Sequence, residues 1–105
     1  MEIERIGKPK PAAGVPIISF ATTHNGIVHV CGVTANPLEP LGDIKQQTLE
    51  VLKQIDAILD AAGTDKSKLL TAQVWLTDMD DFADHNDAWN EWVDPEDPPV
   101  RACVE

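Results

Sequence analysis

Apolar and polar positions change period several times along the chain, and each period names an element. "MEIERI", residues 1–6, alternates and predicts a short edge strand. "KPKPAAG", residues 8–14, is a connector broken by proline and glycine. "VPIISFATT" and "IVHVCGV" are two β-rich runs on either side of "HNG", residues 24–26. Asn25-Gly26 between them predicts a hairpin, because a type I′ turn needs positive φ at both central positions. After a loop over "TANPLEPLG", the period lengthens to 3.6. Ile44, Val51, Leu52, Ile55, Ile58, Leu59 and Ala62 form one stripe, so residues 43–62 read as an amphipathic helix. Asp43 followed three residues later by Gln46 has the form of a capping box, and Gly63 is placed to end the helix.

The period then returns to two. In "KLLTAQVWLT", residues 68–77, Leu70, Ala72, Val74 and Leu76 share one strand face, and Thr71, Gln73, Trp75 and Thr77 share the other. Residues 78–93, "DMDDFADHNDAWNEWV", read as a second helix whose acidic first turn suits the helix dipole, with Phe82, Asn86, Trp89 and Val93 on a stripe. "DPEDPP" breaks the chain before a last strand, "VRACVE". That strand puts Arg101, Cys103 and Glu105 on one face and Val100, Ala102 and Val104 on the other. The order β-β-β-α-β-α-β predicts an α+β two-layer domain over residues 1–105, a mixed or antiparallel sheet with two helices on one face. The opposite face carries Thr, Gln, Trp, His and Cys. That is too apolar for open water and too polar for a core, which suits subunits packed sheet against sheet.

The length of 105 residues fits one domain with one modest core. A net charge of −10 argues against nucleic acid and against an anionic membrane surface, both of which call for a basic footprint. The opening residues lack an apolar signal segment, and no run is long enough to span a bilayer, so a cytoplasmic protein is expected. In that setting Cys31 and Cys103 are expected to be free thiols.

His24, His29 and His85 have no ligand spacing among themselves or with the cysteines, so no metal site is expected. The run Asp78, Asp80, Asp81, Asp84 and Asp87 fails as a calcium loop: Phe82 stands at its fifth position, no glycine at the sixth and Trp89 at the twelfth. It reads as a helix start and a solvated face. Cys103 as a nucleophile would need a base, which Arg101 cannot be, so a small buried thiol fits better. Asn86, on an apolar stripe, is expected to anchor a neighbouring loop or strand end. Arg101 is the only arginine after Arg5. Its fork could grip a carboxylate or phosphate, or close an ion pair with a neighbouring subunit; the residue pattern leaves both open.

"HNGIVHVCGV", the run from "QQTLEVLKQIDAILDAAG" through "WLTDMDDFADHNDAWNEWV", and "PPVRACVE" together resemble the Rid/YjgF family of reactive-intermediate deaminases, in older usage the endoribonuclease L-PSP family. The likeness runs from about Ile3 to the last residue. It implies a chorismate-mutase-like fold and a trimer whose sheets wall a central barrel, with clefts between subunits. It also implies hydrolysis of 2-imino acids to 2-keto acids and ammonia, with no metal or cofactor. In that resemblance Arg101 matches the arginine that grips the substrate carboxylate, and Cys103 matches a cysteine lining the pocket. Backbone groups at Cys31 and Gly32 would face the imine nitrogen. Ile18 stands near a position where the family usually has a tyrosine, and Cys31 where a serine or similar residue is common. "RACVE" is followed in the family by a loop and a final strand carrying a glutamate that positions water; the chain ends before it, so that strand is expected to be missing here. A small-carboxylate-binding trimer without catalysis is the alternative on the same fold. Ribonuclease activity fits poorly with the charge and with the lack of a histidine pair.

Overall fold

The computed structural model describes residues 2–35 and 42–105. The chain runs β1 (Glu4–Ile6), β2 (Ala21–His24), β3 (Ile27–Val30), α1 (Ile44–Ala61), β4 (Thr71–Trp75), α2 (Phe82–Trp92) and β5 (Val100–Val104), with single 3₁₀ turns at Lys66–Lys68 and Met79–Asp81. This is the order that the periodicity predicts. The strands are shorter than their β-rich runs, because residues 15–20 and 31–35 lie outside the ladder. Most of the loop expected over residues 34–42 falls outside the described residues.

Local chemistry accounts for the boundaries. Asn25 and Gly26 both take positive φ, 54° and 77°, and turn β2 back on β3 with Ala21 opposite Val30 and His24 opposite Ile27. The Asp43 carboxylate accepts the Gln46 backbone N–H at 2.9 Å, and the Gln46 side chain accepts the Asp43 N–H at 3.0 Å, so the capping box forms in full. Gly63, at φ 78°, ends α1; its N–H donates to Asp60 C=O and that of Thr64 to Leu59 C=O. Asp78 spends its charge locally, accepting the Asp80 N–H at 2.9 Å. Among the described residues no group of acidic, histidine and cysteine side chains has the arrangement of a metal site.

The strands form two ladders rather than one continuous sheet. β1-β2-β3 is antiparallel, whereas β4 and β5 pair in parallel with Ala72 beside Arg101 and Val74 beside Cys103. Right after β4 the Leu76 N–H still bonds Val104 C=O at 2.8 Å. α1 and α2 pack on each other, burying Thr48, Leu52 and Leu59 against His85, Ala88 and Trp92. The Trp92 indole N–H reaches across to Asp56 at 2.9 Å. Gln54 ties α1 to the segment after β3 through Thr34 C=O at 3.0 Å. Lys45 and Glu91 close an exposed ion pair at 2.7 Å between the helices, a contact worth little in water.

Two expectations change. Val93 caps α2, and the most buried side chains of that helix are His85, Ala88 and Trp92 rather than the expected stripe. The helix has two partners: α1 takes 85, 88 and 92, while Phe82, Asn86 and Trp89 meet β5. Leu70, expected on the covered face, is exposed, one residue before β4 begins.

Candidate functional site

Arg101 sits in mid-β5, and the parallel register turns it to the side covered by α2. Its Nη2 donates to Asn86 Oδ1 at 2.8 Å. Its guanidinium carbon lies 5.1 Å from the centre of the Trp89 ring and 5.8 Å from that of Phe82. Phe82, Asn86 and Trp89 recur at spacings of four and three, so one face of α2 forms the seat. The two rings take the cation against their π faces, and the amide fixes its rotation about the long axis of the fork. Arg101 Nη1 is buried and has no partner among the described residues. A guanidinium turned this way has one side committed to the protein and one donor nitrogen uncommitted. It is chemically suited to a carboxylate, which completes its hydrogen bonds and balances its charge. Asn86 therefore does anchor a strand, as its place on an apolar stripe predicts.

Cys103 follows two residues on along the same face of β5, half-buried. Cys31 and Cys103 are both free thiols. Cys31, just past β3, donates its N–H to Phe20 C=O at 2.9 Å, and Gly32 beside it is exposed. Ile18 is also exposed, in the irregular stretch before β2. Thus Arg101 and Cys103 stand together on one ladder, while Cys31, Gly32 and Ile18 flank the β2-β3 hairpin; no described hydrogen bond joins the two groups. A shallow hollow of about 370 Å³ is lined by Glu2, Ile3, Glu4, Thr23, His24 and Asn25, none of them a candidate residue.

One pair escaped the sequence reading. His85 is only 5% exposed, and its Nδ1 lies 3.0 Å from Thr48 Oγ1 across the interface of α1 and α2. Burial, and secondarily the positive charge of Arg101, hold the imidazole pKa below its ordinary value. The available signal was register: Thr48 falls on the α1 stripe at one helical turn from Leu52, and His85 stands two turns before Trp92.

The sequence profile of the family described as Endoribonuclease L-PSP matches residues 8–105. The chain belongs to this family, the Rid/YjgF proteins. An L-PSP relative from Haemophilus influenzae, a RutC family protein, is 42% identical over 105 residues, covering all of this chain and 84% of the relative. The RutC family protein YoaB of Escherichia coli is 42% identical over 87 residues, 83% of this chain and 74% of that protein. Among solved structures, a YjgF-family protein from Neisseria meningitidis superposes with a TM-score of 0.86 at 35% identity, over all of this chain and 81% of its own. The α+β architecture is therefore the L-PSP fold.

Proposed function

We propose that the chain is the subunit of a homotrimer that hydrolyses small 2-imino acids to 2-keto acids and ammonia, without metal or cofactor, in clefts between subunits. The observation that carries this reading is the seat of Arg101: a guanidinium held by Asn86, Phe82 and Trp89 with Nη1 buried and unpartnered. Water adds to the C=N carbon, giving a carbinolamine. Collapse of that adduct forms the carbonyl and expels ammonia once the nitrogen has been protonated. Arg101 would hold the carboxylate next to the reacting carbon, so that fixed geometry replaces a chance encounter. Cys103 would wall the pocket, and backbone groups near it and at Cys31-Gly32 of a facing hairpin would meet the imine nitrogen. That Cys31, Gly32 and Ile18 flank the β2-β3 hairpin, away from the ladder that carries Arg101, supports a site completed by a second subunit. The exposed face of β4 and β5 supports the trimer, with Trp75 and Val100 each 70% exposed and Val104 beside them.

An imine generated in place by an amino-acid oxidase, with semicarbazide trapping what survives, provides the test. Wild type is expected to accelerate imine loss, and Arg101→Ala to lower kcat/KM about 100-fold or more, the scale of a lost charge-assisted fork. Full turnover by Arg101→Ala would overturn the role of the arginine. Ile18, which lacks the hydroxyl usual at that place in the family, favours a second reading: a trimer that binds small carboxylates without turning them over. Keto-acid binding with no acceleration by wild type would select it.

A further inference from the structure

His85 has no part in gripping a carboxylate, yet it is the most deeply buried titratable side chain among the described residues. Thr48 holds its Nδ1, and its Nε2 is buried with no partner among the described residues. It lies three residues after Phe82, one before Asn86 and four before Trp89, so the ring flanks the seat of Arg101 on the same helix. Few charges surround it. β5 brings Arg101 and, on the same face, the thiol of Cys103, and β4 (Thr, Ala, Gln, Val, Trp) carries no titratable group. α1 presents Thr48, with Lys45 one turn earlier engaged by Glu91. Asp81, the N-cap of α2, stands one turn before the ring, and α2 itself carries Asp84 and Asp87 on exposed positions. The cation of Arg101 is thus the charge that opposes a proton on His85.

We propose that His85 is a proton-linked positioning residue for Arg101: an anion taken by the guanidinium is accompanied by proton uptake at the buried ring, so the site holds carboxylates more tightly as pH falls through the imidazole range. The proposal rests on Arg101 being the carboxylate site. A bound carboxylate cancels the field of the guanidinium and makes the protonated ring less costly. By reciprocity, a protonated ring favours the bound carboxylate by the same factor. Burial is unchanged by the ligand and still disfavours the charged ring, so the uptake is a fraction of a proton. Well above the ordinary histidine range the ring is neutral in both states, and the linkage vanishes.

The test is titration calorimetry of the full chain with 2-oxobutanoate, in two buffers of different protonation enthalpy, at about pH 6 and about pH 8. Wild type, His85→Gln and Arg101→Ala are compared. Wild type is expected to give buffer-dependent heats at the lower pH only, with affinity about threefold tighter there. His85→Gln is expected to bind without buffer dependence. Imidazole proton resonances of wild type provide a readout that does not depend on the variant folding: the titration of the buried ring should move to higher pH when 2-oxobutanoate is added. Binding that requires Arg101, with equal heats in both buffers and an unmoved titration, overturns the linkage and leaves the grip intact. No binding at either pH, or binding that survives Arg101→Ala, overturns both.

Discussion

At the scale of single residues, three side chains on one face of α2 do different work with the same strand. Asn86 is costly on an apolar stripe unless it is bonded, and Arg101 supplies the bond. Phe82 and Trp89 would be ordinary core residues if they did not face a cation. His85 adds a pH dependence to folding itself. Its pKa is lowered in the folded chain, so the unfolded chain takes up the proton first as pH falls. Its contribution to stability is complete above the ordinary histidine pKa and is lost as pH drops from there toward the folded value. Urea midpoints measured from neutral pH down to about pH 5 should therefore fall more steeply for wild type than for His85→Gln. Parallel curves would mean that the ring titrates alike in both states. The carboxylates, which also titrate there, are common to both proteins.

At the scale of elements, α1 is specified almost wholly by local sequence. Its stripe, its capping box and Gly63 all appear in the structure where the pattern puts them. Asp43→Ala should lower stability by about 1 kcal/mol, the usual cost of a lost N-cap, with the denaturant midpoint reduced and the fold retained. Asp43→Asn, which can still accept the Gln46 N–H, should recover most of it. α2 is less legible, because it packs against two surfaces at once. A single stripe reports the side toward β5, while the side toward α1, built on His85, Ala88 and Trp92, mixes a polar residue with a small one and a large one. Strand lengths were overestimated for a related reason: β-rich composition extends beyond the residues that find a partner strand.

At the scale of the whole molecule, the face of β4 and β5 away from the helices remains open. Trp75 and Val100 are the principal apolar surface there, flanked by Val104 and by Thr71 and Gln73. If this face joins subunits, Trp75→Glu should break the assembly into smaller species by light scattering coupled to gel filtration, while far-ultraviolet circular dichroism stays unchanged. It should also abolish imine hydrolysis, because a cleft built from two subunits needs both. An unchanged oligomer would place the interface elsewhere.

Element order, the hairpin at Asn25-Gly26, the ends of α1 and the singularity of Arg101 were legible in the amino-acid pattern, because each rests on interactions within a few residues or on a periodicity of the chain. The direction in which Arg101 points was set by packing. A strand's alternation pairs Arg101 with Cys103 but not with a side of the sheet; the parallel register with Ala72 and Val74 turned both toward α2. The seat itself unites residues 15 positions apart at Asn86 and Arg101, and the Thr48–His85 contact spans 37. Such pairings form only when two helices and a strand pack together, and no local pattern encodes the distance between them.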